Sequence, residues 1–107
     1  MSGKRMKSLR LIWLEAFVLA VDGESFTKAG AELGINQGTA SKYVTYLEDW
    51  LGLPLTDPGT TVLTSAGERF IPVARQVIAA LTGARALERH MAETALSVPI
   101  SAREIKI

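Results

Sequence analysis

The sequence predicts a mostly α-helical domain centred on two short amphipathic helices joined by a very tight turn. Three observations carry that expectation. Residues 25–51 read SFTKAGAELGINQGTASKYVTYLEDWL, two runs of helical periodicity separated only by Gly34-Ile35-Asn36. Next, Pro58-Gly59 lies between two short apolar runs and signals a hairpin turn. Finally, Phe70, Val73, Val77, Ala80, Ala84, Leu87 and Met91 recur at alternating three- and four-residue steps, the apolar seam of a long helix that pairs with another. Together these read as a winged helix-turn-helix with a short β-hairpin wing and a long C-terminal dimerisation helix.

Composition narrows the function classes. The chain has 107 residues, 48% hydrophobic and 21% charged, which fits one folded domain and excludes general disorder. A chain this short buries only about two-thirds of its unfolded surface, so an exposed apolar stripe points to self-association. There is no cysteine, which removes disulfides and thiolate metal sites, and His90 is the only histidine, which removes a histidine-based metal cluster. No cofactor is expected. Ser25, Ser41 and Ser65 have no histidine nearby in sequence, and no phosphate-cradling glycine motif occurs, so the chain does not read as an enzyme. No apolar run approaches the roughly 20 residues of a membrane span, and the cytoplasm is the expected compartment. Net charge is only +1. Lys4, Arg5, Lys7 and Arg10 crowd the first ten residues unopposed, and acidic groups outnumber basic ones beyond them, which weighs against a strong grip on nucleic acid.

Taken in order, residues 1–7 form a basic arm. The first helix is expected over 8–22 with Ser8 as its N-cap. Leu9, Ile12, Trp13, Ala16, Phe17 and Ala20, widened by Leu14, Val18, Leu19 and Val21, make it apolar nearly all round, so it should be buried on several sides. Asp22-Gly23-Glu24 turns the chain. Ser25 caps a second helix over 26–33 that sends Phe26, Ala29 and Leu33 inward. Gly30 is expected to admit another helix closely, and Gly34 to close this one in a left-handed conformation. Ile35 plugs the turn and Asn36 caps the third helix, 37–51. Ala40, Val44, Leu47 and Leu51 form its buried stripe, leaving Gln37, Gly38, Thr39, Ser41, Lys42, Thr45 and Tyr46 on the other sides. In its N-terminal half these are short, polar and, except for Lys42, uncharged, suited to approach base edges. Glu48 and Asp49 are expected to face phosphate repulsively from the C-terminal half.

After Gly52, strands are expected at 53–55 and 61–63, packing Leu53, Leu55 and Leu63 on the core. The hairpin holds no Lys or Arg and carries Asp57, so it reads as a structural element more than a minor-groove grip. Thr64 caps a long helix over 65–91. Its first two turns should pack on the domain. The rest should act as a strut for a second copy, with Ile71, Ile78 and Leu81 adding a second flank, Ala80, Gly83 and Ala84 allowing close contact and Pro72 introducing a bend. Residues 103–107 alternate like the start of a strand. The expected division is 1–63 for the winged helix-turn-helix, 64–92 for the dimerisation helix and 93–107 for a hinge or tail.

From about Leu9 to the end of the long helix the chain resembles the N-terminal DNA-binding domain of the LysR-type transcriptional regulators. The residues that carry this are Leu14-Glu15-Ala16-Phe17, Gly23-Glu24-Ser25-Phe26-Thr27-Lys28-Ala29, Leu33, Ile35-Asn36-Gln37, Ala40-Ser41-Lys42, Leu47-Glu48, Leu51-Gly52 and Leu63-Thr64-Ser65-Ala66-Gly67. The resemblance implies a homodimer that places the third helix in the major groove of double-stranded DNA. It implies phosphate or edge contacts from Ser25, Thr27 and Lys28, and a groove-facing surface of Gln37, Gly38, Thr39, Ser41, Lys42 and Thr45. Gln37 would read adenine or position the helix, and Lys42 would meet guanine or phosphate. Its dimer interface would comprise Phe70, Val73, Val77, Ala80, Leu81, Ala84, Leu87 and Met91. Three departures stand out: Gly38 replaces the usual proline or serine, Tyr43, Thr45 and Tyr46 replace basic or amide side chains, and the wing is shorter and lacks its flanking arginines. Family members continue into an effector-binding domain, whereas this sequence stops where that domain's first strand would begin. The expectation is a short form with no small-molecule effector, a sequence-specific transcriptional regulator associated with the nucleoid. The alternative is a protein-interaction module that binds and inhibits another regulator, such as a longer LysR-type relative.

Overall fold

A computed structural model describes residues 8–97, with side-chain surroundings as far as Leu87 apart from Arg85. The basic arm, the strand-like segment at 103–107 and the side chains of His90 and Met91 lie outside the described residues. Four helices follow in order: α1 (Leu11–Gly23), α2 (Phe26–Leu33), α3 (Gln37–Leu51) and α4 (Ser65–Ser97).

α1 is the axis. It packs against α2, α3 and α4, which is why its sequence is apolar nearly all round. Trp13, Leu14, Ala16 and Phe17 join Val44 and Leu47 of α3, Leu55 of the following loop and Ala74 of α4 in the main core. Where α1, α2 and α3 converge, Ala20, Ala29 and Ala40 form a second buried cluster, their small side chains allowing close backbone approach. Phe17 stacks at a tilt on Phe70 of α4, ring centroids 6.0 Å apart, and Trp13 on Tyr46 of α3 at 5.5 Å. Tyr46 therefore serves the α1–α3 contact, contrary to its expected place on the outer surface.

The caps largely follow the sequence. The Ser25 hydroxyl accepts the Lys28 N–H at 3.0 Å and Asn36 Oδ1 accepts the Thr39 N–H at 2.7 Å. Thr64 Oγ1 accepts the Gly67 N–H at 3.0 Å and donates to the Pro54 carbonyl at 2.7 Å. Gly34 and Gly52 take left-handed conformations at φ 72° and 77°. The first helix differs. It begins at Leu11 from an extended Arg10, with no side-chain cap, because Leu9 is drawn onto the core before the helix starts. Ser8 therefore does not cap it. Its C-terminal left-handed residue is Glu24, at φ 54°.

Gly30 also departs from expectation. A Cβ there would stand 2.6 Å from the Ile35 carbonyl oxygen, so the close neighbour is the turn backbone and not another helix. The wing departs further. Its two arms meet at a single antiparallel bridge, Thr56 with Leu63, in place of two strands. Asp57 donates to the Val62 carbonyl and Thr64 to the Leu55 carbonyl, both at 2.9 Å. The return bonds that would lengthen the ladder are diverted: Leu55 N–H goes to Glu48 Oε2 at 2.8 Å, and Val62 N–H to the Thr60 hydroxyl at 3.1 Å. Without a strand the inward alternation breaks: Leu55 is fully buried, whereas Leu53 is 52% exposed.

α4 presents two faces. Phe70, Ile71, Ala74 and Ile78 pack on the core, so the domain contact runs to the fourth turn, further than the expected first two. Arg75 reinforces it with a two-pronged ion pair to Asp22 at the end of α1, at 2.6 and 2.8 Å. The other face leaves Val73, Val77, Leu81 and Leu87 exposed. α4 continues to Ser97, beyond the expected end at 91, since no proline or glycine lies between Met91 and Pro99.

Candidate nucleic-acid interface

The exposed surface at the α2–α3 junction is built by the cap residues. Ser25 and Asn36 use their own side chains to satisfy the first turns of α2 and α3. Thr27 and Lys28 are exposed at the start of α2; Gln37, Gly38, Lys42 and Thr45 are exposed along α3. Gly38, Ser41, Lys42 and Thr45 share one face by helical spacing. Thr27 and Gln37 are brought together across the turn, the Thr27 hydroxyl donating to Gln37 Oε1 at 3.1 Å.

Not every candidate sits on that face. Ser25 is half-buried and its hydroxyl is engaged in the cap. Thr39 is half-buried on the flank that continues through Tyr43 and Tyr46, whose rings lie 6.3 Å apart. Ser41 and Thr45 line a cleft of about 300 Å³ between α3 and the wing, with Pro54, Thr56, Pro58 and Thr60 opposite. Thr45 returns its hydroxyl to the Ser41 carbonyl at 3.3 Å, leaving a low, neutral surface. At Gly38 an added Cβ would meet only Asn36 Oδ1, at an ordinary 3.5 Å, so packing does not require glycine there. Its effect is to keep the first turn of α3 flat.

Glu48, expected only as a repulsive charge, has a structural role that sequence reasoning missed. Its carboxylate accepts the N–H groups of Leu55 and Thr56, at 2.8 and 3.2 Å, fastening the base of the wing to α3. The carboxylate is thus engaged within the fold, and Asp49 is the exposed acidic residue in that half of the helix. The pair Leu47-Glu48 was visible in the sequence, but nothing local indicated that the carboxylate reaches seven residues ahead. Among the described residues no group of three or more His, Cys, Asp or Glu is placed to hold a metal ion, and no helix is long and apolar enough to cross a membrane.

Comparison with known proteins adds family identity to this geometry. The regulator ShiR of Corynebacterium glutamicum (strain R) is 35% identical over 79 residues, covering 72% of this chain and 27% of its own length. The activator AmpR of Providencia stuartii is 40% identical over 75 residues, covering 68% of this chain and 26% of its own. The chain thus spans about a quarter of the length of these curated relatives. Among solved structures, the BenM_DBD/catB site 1 DNA complex aligns with a TM-score of 0.72 at 28% identity, covering 80% of this chain and 95% of that one. The model of the bacterial regulatory helix-turn-helix proteins of the lysR family matches residues 11–68, more than half of the sequence. With that match lying over the caps, the turn and α3, the chain belongs to the LysR family of bacterial regulatory helix-turn-helix proteins.

Proposed function

We propose that this chain is a sequence-specific, DNA-binding transcriptional regulator that acts as a homodimer. The observation that carries this is the outward face of α3, short and neutral around a single cation, Lys42, on a scaffold shared with a DNA-bound relative. In this reading residues 1–63 read double-stranded DNA, 64–92 dimerise and 93–107 form a hinge or tail. Gln37, Gly38, Ser41, Lys42 and Thr45 meet the major groove, and Thr27 and Lys28 approach from the start of α2. Ser25 and Thr39 act mainly by shaping the cap and the flank. The cation-free wing contributes little phosphate binding, so the salt dependence of affinity is shallow. Action on DNA places the protein in the cytoplasm, at the nucleoid.

Dimerisation is supported by the exposed row of Val73, Val77, Leu81 and Leu87, with Ala80 and Ala84 exposed between them. Phe70 belongs to this seam in spacing but is largely engaged with Phe17, so it braces the seam from within. Gel shifts on the region upstream of its own gene, at several salt concentrations, test the function. A specific shift weakened at least tenfold by Lys42→Ala is expected; no specific shift from a folded dimer at low salt would overturn it. Light scattering should show a dimer at micromolar concentration and a monomer for Val77→Asp.

A further inference from the structure

We propose that the wing makes this protein select against a narrow, A-tract minor groove beside the sequence it reads, with Asp57 as the residue that sets the preference. The inference rests on the DNA-reading function above and adds to it a preference at base pairs that α3 does not touch. Its first support is the placing of the wing. Glu48 ties the backbone of Leu55 and Thr56 to α3, so the base of the wing stands beside that helix across the cleft of about 300 Å³. With α3 in the major groove, an element held at its side faces the flanking phosphate backbone and the minor groove beyond it.

The second support is charge. From Tyr43 to Glu68 the sequence holds no Lys or Arg. Asp57, Pro58, Gly59 and Thr60 form an exposed tip. Asp57 closes that tip with its backbone: its N–H donates to the Val62 carbonyl at 2.9 Å, and its carbonyl accepts the N–H and the hydroxyl of Thr60, both at 3.0 Å. Its carboxylate has no hydrogen-bond or ion-pair partner among the described residues, unlike that of Glu48. A-tracts narrow the minor groove and concentrate negative potential there, which draws in cationic side chains. A carboxylate at the same station meets that potential as repulsion. The screening length is about 10 Å at 0.1 M salt, so the penalty does not need direct contact. A wider groove beside the same core lowers it. The wing thus discriminates by groove shape, through a charge of the sign opposite to a cationic grip.

The test begins by selecting bound duplexes from a randomised pool with the full chain, which yields the core that α3 reads. That core is then flanked on both sides by A-tracts or by mixed, G·C-rich sequence, and affinity is measured for each. The unaltered chain is expected to bind the G·C-flanked duplex about threefold more tightly at low salt, the difference shrinking as salt rises. Asp57→Asn should abolish the difference and Asp57→Arg should reverse it. Since the carboxylate bonds to nothing in the described fold, both variants should melt as the unaltered chain does. Asp49→Asn removes the exposed acid on the Lys42 side of α3 and should leave the flank preference intact. Equal affinity for the two flanks, a preference for A-tracts, or a preference that survives Asp57→Asn or disappears with Asp49→Asn overturns the proposal. Failure of the unaltered chain to enrich any sequence overturns DNA reading itself and the flank preference with it, a result distinct from a sequence-specific protein indifferent to its flanks.

Discussion

The turn before α3 consists of Gly34, Ile35 and Asn36, and the connection after it runs from Gly52 to Thr64. Both fix what lies beside the same helix. The first is held by its own residues: Gly34 supplies the left-handed step, Asn36 caps the next helix, and Ile35 returns its N–H to Gly30 at 2.9 Å. The second depends in addition on a side chain outside it, the Glu48 carboxylate, which holds one arm, while Thr64 at its end bridges Pro54 to the first turn of α4. A connection stabilised by its own backbone tolerates changes elsewhere. A connection stabilised by a distant side chain is lost when that one side chain goes.

Substitutions can break this contrast in graded steps. The largest effect is expected for Gly67→Ala, whose Cβ would overlap the Leu55 carbonyl oxygen where α4 presses on the wing. About 3 kcal/mol of stability should be lost in urea denaturation, as for other overpacked sites. Gly30→Ala strains the tight turn in the same way against Ile35, but gains helix propensity, so a smaller loss of about 2 kcal/mol is expected. Glu48→Ala leaves the Leu55 and Thr56 N–H groups without their partner and should cost about 2 kcal/mol, with faster amide exchange confined to the wing. Glu48→Gln keeps an acceptor and should cost about half as much. For the turn, Asn36→Ala removes one cap bond and about 1 kcal/mol, with no effect on wing exchange. The smallest effect lies away from both connections. Hydrogen bonding to Arg75 holds the Asp22 carboxyl below its usual pKa, against an opposing effect of burial. A depressed carboxylate contributes stability above its unfolded pKa and loses it as pH falls through the lower, folded value. Since the pair is about half exposed, Asp22→Asn should cost at most about 1 kcal/mol near neutral pH and flatten the acid limb of stability.

The same contrast explains how much of the fold was legible in the sequence. Ser25, Gly34, Asn36 and Gly52 act within four residues of themselves, as does Thr64 in capping α4, and each of these roles was readable; the reach of Thr64 to Pro54 was not. The helix-turn-helix and its exposed polar face follow from those local rules. Leu53, Tyr46, Glu48 and Ser8 were misread because their surroundings are decided by partners far along the chain. Glu48 takes ladder donors from the wing, so the strands shrink and Leu53 swings out. Trp13 draws Tyr46 inward, and core contact by Leu9 outweighs a serine cap. The heptad spacing of α4 found the exposed stripe, but the inward stripe at Ile71, Ala74 and Ile78 depended on where α1 lies.

The double anchorage of α4 has a geometric consequence. Phe70, Ala74, Ile78 and the Arg75–Asp22 pair fix the root of the helix to the body through four turns. The helix beyond that root is a lever whose direction is set before any partner arrives. In the DNA-bound dimer proposed above, the phase of the two α3 surfaces along the double helix would therefore be counted in residues of α4. Inserting one residue after Ile78 turns everything beyond it by about 100° and advances it by about 1.5 Å, while inserting four comes close to restoring the original facing. Operator spacing should follow that count, with a single insertion putting the two half-sites out of phase and a full turn bringing them nearly back.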